Sequence, residues 1–396
     1  MQLNDHMVQG FKASATAAGL KNDNALDLAL ILSEKESTTA GVFTTNKVRA
    51  APVILSQENI RNGKARAIIA NAGNANACTG EAGLNDARQT ADLVAGELGI
   101  RSDEVLVAST GVIGQALDME LISGALPGLV NTLSPEGLPL AARAIMTTDS
   151  FTKISRFNGQ AGGRLYGVLG IAKGAGMIMP NLATMLCFIL SDIRIDADDL
   201  KEAVLLSVDS TFNRITVDGD TSTNDMVLFL ANGFAGNRAL SDAEHKDFVD
   251  GLQRVMGDLA RMIVRDGEGA TKVIQIDIRG ARSPSDALIA ARTVANSNLV
   301  KTAFYGQDPN WGRIMAALGR ADISMEEKCV DIWLDDIHIV VNGLGKGNEL
   351  EREAAKKMTQ KEFTLTIDLH QGDFQDHIIT CDLTREYVTI NADYRT

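Results

Sequence analysis

Apolar positions along the chain recur with two periods. Short runs at Leu28–Leu32, Val53–Leu55, Ala67–Ala70, Val105–Ala108, Gly167–Ile171 and Met185–Leu190 have the length and composition of buried strands. Between them lie stretches with helical spacing. Asp86–Leu98 brings Ala91, Val94, Ala95 and Leu98 to one face, and a helix with Asp196 as its N-cap carries Leu200, Val204 and Val208. A longer helix opens at Ser241, where Glu244 three residues on completes a capping box. Its apolar face is Phe248, Leu252, Val255, Met256, Leu259, Met262 and Ile263, and Asp266-Gly267 ends it. Val273–Ile278 alternates like a strand, and Ser283-Pro284-Ser285 precedes a helix that includes Ala287–Val294.

From about residue 325 the texture changes. Short strands at Val330–Leu334, Ile337–Val341, Phe363–Leu369, His377–Cys381 and Tyr387–Ile390 enclose one helix near Leu350–Met358. The pattern predicts an α/β (α+β) protein: a two-layer sheet core flanked by helices, with a smaller C-terminal α/β unit. That unit starts between residues 280 and 325, and the boundary is placed at 281. No low-complexity linker or internal repeat interrupts the chain.

Composition narrows the function. A chain of 396 residues with a net charge of -13 lacks the basic footprint of a nucleic-acid binder, and its acidic surface disfavours anionic membranes. The N-terminal stretch lacks a basic segment followed by an apolar one, and no apolar run reaches spanning length, so a cytoplasmic protein is expected. The four cysteines are scattered without a CxxC pair and read as free thiols, buried at Cys78 and Cys187. The five histidines are isolated, so no metal site is expected.

The candidate chemistry sits in Lys173-Gly174-Ala175-Gly176-Met177-Ile178-Met179-Pro180-Asn181-Leu182-Ala183-Thr184-Met185-Leu186-Cys187. By pattern alone this is a glycine-rich turn feeding a strand that Thr184 opens, since threonine is common in strands. The spacing departs from the GxxxxGK[ST] phosphate loop. Asp220–Asp225 lacks the glycine and terminal glutamate of a calcium loop and reads as a polar structural turn near the site.

This segment resembles the self-cleavage site of the glutamate N-acetyltransferase / ornithine acetyltransferase family. The likeness continues in order through Ala40–Thr44, Asn74–Gly80, Ser109–Gly114, Met146–Asp149, Asp220–Asp225, Gly267–Lys272, Tyr305–Arg313 and Asn391–Thr396. Ala175 and Leu182 stand where the family pattern expects serine and methionine. The resemblance implies a self-processing, N-terminal-nucleophile-like enzyme that cuts itself between Ala183 and Thr184. The products would be an α chain, 1–183, and a β chain, 184–396, the latter comprising 184–280 and the C-terminal domain 281–396.

Cleavage would give Thr184 a free α-amine, whose pKa of about 7.7–8.0, against about 10.4 for lysine, suits a base near neutral pH. The family then implies ping-pong transfer of acetyl from N-acetylornithine to glutamate, within arginine biosynthesis, by an α2β2 heterotetramer. It implies Thr110 and Gly111 as oxyanion donors, and Thr147, Lys173, Glu268, Asn391 and Thr396 as substrate contacts beside Thr184. Lys173 would meet a substrate carboxylate and Glu268 the ornithine side-chain amine, with Asn391 and Thr396 closing the pocket. No cofactor is expected, although some relatives also accept acetyl-CoA as a second donor. Three rivals remain at this point: an amidase or aminopeptidase on the same scaffold, an amino-acid-binding protein with an inert Thr184, and a nucleotide-binding enzyme.

Overall fold

The computed structural model describes residues 8–21, 24–179 and 185–393. They form two units, one of residues up to 213 together with 220–263, the other of 214–219 together with 264 onward. The first unit opens with β1 (Phe11–Thr16), β2 (Leu28–Phe43), α1 (Ala51–Asn59), β3 (Lys64–Asn74), α2 (Gly80–Leu98), β4 (Val105–Val112), α3 (Met119–Asn131) and α4 (Leu138–Ala144). It continues with β5 (Lys153–Ala161), β6 (Arg164–Lys173), β7 (Leu186–Ser191), α5 (Ala197–Ser210), β8 (Met226–Ala231) and α6 (Asp242–Arg265).

Its strands make one eight-stranded sheet in the order β4-β3-β2-β8-β7-β6-β5, with β1 paired to β2. The sheet core flanked by helices is as expected: the hydrogen-bond order is continuous through the long β2, and the β2-β3-β4 and β6-β7-β8 portions face one another across a shared apolar cluster, as two layers. Alternation lets each strand supply two faces, one to the helices and one to the facing strands. On β3, Ala67 and Ile69 join a cluster with Ala87, Ala91 and Val94 of α2 and Ile122 and Leu126 of α3. Ile68 and Ala70 turn the other way, to Ala141 and Ala142 of α4 and to Phe188 and Leu228 of the central strands. Farther along, Phe248 of α6 lies edge-on to Phe229 of β8, their ring centroids 6.0 Å apart. The capping box forms: Ser241 Oγ accepts from the Glu244 N–H at 3.4 Å, and Glu244 Oε2 accepts from the Ser241 N–H at 2.9 Å.

Val53–Leu55, expected as a strand, lies inside α1. Three apolar residues carry no period, and Pro52 in the first helical turn is the local signal that was outweighed. Cys78, expected to be buried, is exposed at a left-handed turn (φ +57°) just before α2.

The second unit contains β9 (Val273–Ala281), α7 (Pro284–Ala295), α8 (Asn298–Tyr305), α9 (Trp311–Leu318), β10 (Asp331–Leu334) and β11 (Ile337–Val341). After these come β12 (Leu344–Gly345), α10 (Asn348–Lys357), β13 (Glu362–Asp368), β14 (Phe374–Cys381) and α11 (Arg385–Asp393). Its six-stranded sheet runs β12-β11-β10-β13-β9-β14. Ile274, Ile276 and Ile278 of β9 pack with Ala287, Ala290 and Val294 of α7. The unit begins ahead of residue 281 because β9 is an interior strand of its sheet. Tyr387–Ile390, expected as a strand, belongs to α11, where Val388 is solvent-exposed. Among the described residues no helix is long and apolar enough to cross a membrane.

Candidate active site

In the first unit the chemistry gathers where strands end. Lys173 is the last residue of β6, and the antiparallel register sets it opposite Leu186, two residues after Thr184 in sequence. Its ammonium donates to Thr147 Oγ1 at 2.8 Å and to Thr110 Oγ1 at 3.2 Å. Three residues singled out from distant parts of the chain thus meet at one nitrogen.

Thr110 and Gly111 lie near the end of β4, in parallel register with Ala72 and Gly73 of β3. Gly111 has φ +131°, and a Cβ there would lie 2.6 Å from Asn74 N and closer still to the Gly73 carbonyl carbon. Only glycine permits that conformation and that approach. Near the end of β4 the backbone at this point therefore carries no side chain of its own.

Asp149 ties the Thr147 loop to the end of β6. Its Oδ2 accepts from the Thr147 N–H at 3.0 Å, and its Oδ1 accepts from the Gly174 N–H at 2.6 Å and from Lys153 Nζ at 2.7 Å. Both side chains of the Asp149–Lys153 pair are fully buried. Burial pushes the Asp149 carboxyl up, but the Lys173 and Lys153 charges and the hydrogen bonds outweigh it and hold the group below the usual carboxylate range. In the sequence Asp149 is only a letter of a motif, and nothing there marks Lys153. A charged pair four residues apart across a turn carries no periodic signal.

The polar turn before β8 touches both flanks of the 180–184 segment. Thr221 bridges to Ile178, and its hydroxyl donates to Met179 O at 3.0 Å. Beyond the segment, the Met226 N–H donates to Met185 O at 2.9 Å. Asp225, between them, is 2% exposed, and its Oδ2 has no hydrogen-bond partner among the described residues. Burial drives its carboxyl well above the carboxylate range, against the Ser222 hydrogen bonds and the Lys173 charge. Cys187 of β7 is also fully buried, and burial pushes its thiol up, away from a nucleophilic thiolate.

In the second unit, Glu268 Oε2 accepts from Asn391 Nδ2 at 2.7 Å, joining two further residues named from the sequence. The turn that carries Glu268 is held tightly. Asp382 Oδ1 accepts from the Thr271 N–H at 2.8 Å, and Gly269 O accepts from Thr384 Oγ1 at 2.8 Å. Gly269 (φ +68°) lies so near α11 that a Cβ would come within 2.7 Å of Glu386 Cβ. Ala183, Thr184 and Thr396 lie outside the described residues. No group of three or more His, Cys, Asp or Glu among the described residues is placed to hold a metal ion.

Known proteins match nearly the whole of this chain. Residues 12–396 match the ArgJ family. The "Arginine biosynthesis bifunctional protein ArgJ" of Geobacter sulfurreducens is 50% identical over 391 residues, covering 98% of this chain and 100% of the relative. The "Glutamate N-acetyltransferase" of Methanocaldococcus jannaschii is 45% identical over 399 residues, covering 98% and 97%. The crystal structure of arginine biosynthesis bifunctional protein argJ from Bacillus halodurans superposes with a TM-score of 0.50 at 40% identity, covering 52% of this chain and 98% of its own. The likeness spans all the elements that carry the candidate residues, and the chain belongs to the ArgJ family.

Proposed function

We propose that the chain is a glutamate N-acetyltransferase (ornithine acetyltransferase) of arginine biosynthesis, which cuts itself between Ala183 and Thr184 and then works through an acetyl-Thr184 ester. The observation that carries this reading is the convergence of the Lys173 ammonium on the Thr110 and Thr147 hydroxyls, at the end of the strand paired with the one that follows Thr184. The full-length match to relatives named for this activity and pathway supports it. Cleavage is supported by length: the Bacillus halodurans chain is 98% covered by only 52% of this one.

In the first stage the Thr184 hydroxyl attacks the Ala183 carbonyl, and water hydrolyses the resulting ester. The new α-amine, a group whose ordinary pKa is about 7.7–8.0, takes the hydroxyl proton in each later turnover. N-acetylornithine then loses its acetyl group: the Thr184 O–C bond forms, the amide C–N bond breaks, and the ornithine amine leaves with the proton. Glutamate's amine attacks the ester, and Thr184 oxygen leaves and regains a proton. Both halves pass through a tetrahedral oxyanion, for which the backbone at Thr110 and Gly111 supplies donors. One such donor is worth about 2.7–4 kcal/mol.

Lys173 meets the substrate carboxylate and Thr147 adds a hydroxyl contact. Glu268 takes the ornithine side-chain amine, with Asn391 and Thr396 as further substrate contacts. The α chain, 1–183, and the β chain, 184–396, stay together as an α2β2 heterotetramer in the cytoplasm. The word "bifunctional" in relatives' names supports acetyl-CoA as a second acetyl donor.

The test is the denatured mass of the purified protein beside Thr184→Ala, followed by a transfer assay with labelled glutamate. Fragments ending at Ala183 and starting at Thr184, an intact variant, and labelled acetylglutamate formed from acetylornithine are expected. Acetate release without acetylglutamate would make the protein a hydrolase. An uncleaved, inactive wild type would sink the reading.

A further inference from the structure

The turn before β8 holds an amide with an unusual set of partners. Asn224 is 5% exposed. Its Nδ2 donates to Ala75 O at 2.6 Å and to Ser109 O at 2.8 Å, and its Oδ1 accepts from Thr223 Oγ1 at 2.6 Å. Both hydrogens of the amide are used on backbone carbonyls, and the hydroxyl behind it fixes which way the amide faces.

The two carbonyls lie on either side of the strand contact that makes Gly111 obligatory. Ala75 follows the end of β3, and its N–H donates to Val112 O of β4 at 2.9 Å. Ser109 immediately precedes Thr110, so the Ser109 carbonyl and the Thr110 N–H belong to one peptide group. A donor on that carbonyl holds the peptide plane and polarises the N–H at its other end. The same turn bridges Ile178 through Thr221, and Met226, the first residue of β8 after it, bonds Met185, so both flanks of the 180–184 segment are held here.

From this geometry we propose that Asn224 is a positioning residue for acyl transfer, one that aims the Thr110 and Gly111 backbone donors without touching substrate. The inference rests on the oxyanion role given to those donors above. An amide is required because only it offers two N–H groups to two carbonyls while accepting a third bond. Aspartate in the same shape would turn lone pairs on both carbonyls.

The experiment compares wild type, Asn224→Ala, Asn224→Asp and Thr223→Val. It measures the rate of self-cleavage and, normalised to the cleaved fraction, kcat and KM for N-acetylornithine. Loss of one oxyanion donor costs about 100- to 1,000-fold in kcat, so misaiming the donors in Asn224→Ala should cost about 10- to 100-fold. KM should stay within about twofold, because substrate contacts are untouched. Asn224→Asp should fall at least as far, and cleavage should slow in parallel. Thr223→Val, which removes only the hydroxyl behind the amide, should lose several-fold in kcat and decides the matter if the Asn224 variants do not fold.

An active wild type beside folded variants with unchanged kcat, or with the loss confined to KM, would overturn this inference alone. A wild type that neither cleaves nor transfers would instead overturn the function on which it rests.

Discussion

Asp149→Asn exchanges one oxygen for an amide nitrogen and keeps the shape of the side chain. Asp149 accepts three hydrogen bonds, from Thr147 N–H, Gly174 N–H and Lys153 Nζ. Asparagine offers one acceptor oxygen in place of two, and its amide hydrogens must face an N–H donor. Worse, the fully buried Lys153 ammonium loses the carboxylate it pairs with. Breaking a buried pair by removing one member costs about 3–5 kcal/mol. Replacing both members is milder, so Asp149→Asn with Lys153→Met should recover a large part of that loss.

Urea unfolding at pH 7 reads the effect, and two probes localise it. Both tryptophans, Trp311 and Trp333, are in the second unit, so their fluorescence follows that unit while circular dichroism follows the whole chain. The main shift should be in the dichroism transition. The sign of the pH dependence follows from the lowered carboxyl. A carboxylate held below its unfolded value contributes stability that is complete above the unfolded pKa, about 3.9, and is lost as pH falls through the folded value. The gap between wild type and Asp149→Asn should therefore be full at pH 7 and close below about pH 4. A variant within about 1 kcal/mol of wild type at pH 7 would refute the reasoning.

Two further changes test neighbouring features. Gly111→Ala forces a Cβ against Gly73 and Asn74 in a left-handed conformation, so it should lose more than about 1 kcal/mol of stability, measured by thermal melting, and lose acetyl transfer with it. Asp225→Asn replaces a buried carboxyl whose pKa is raised. The wild type's stability is complete below the unfolded pKa, about 3.9, and falls as pH rises from there through the raised folded one, so the variant should gain on wild type as pH climbs above about 4, and equal slopes there would contradict the assignment.

The long-period elements were legible because many residues repeat one message. α6 carries its apolar stripe over 24 residues and has a capping box at its start, and both are in the structure as the pattern implied. Short elements were less secure. Val53–Leu55 and Tyr387–Ile390 have strand-forming side chains but occur in α1 and α11, where local composition yields to surroundings. Valine in α11 is even solvent-exposed, so its β-branched preference had no buried sheet face to satisfy.

The candidate site posed a different problem. Lys173, Thr147 and Thr110 are ordinary residues in local pattern, and 63 positions separate the lysine from Thr110. They meet because β4, β6 and the loop before β5 end at one place, which is a property of how the two portions of the sheet pack on one cluster rather than of any window of sequence. Family resemblance could name these three residues because it compares the whole chain at once. It gave no weight to Asp149 or Asn224, whose work is to hold backbone groups rather than substrate. Such residues show themselves only when hydrogen-bond partners are counted. Asp149 serves two N–H groups and a buried ammonium, and Asn224 serves two carbonyls. Each is buried, so an unsatisfied group left by its loss cannot turn to water instead. The polar shell around the Thr110–Gly111 turn is therefore under the same packing constraint as the apolar core, and substitutions in it should alter geometry before they alter chemistry.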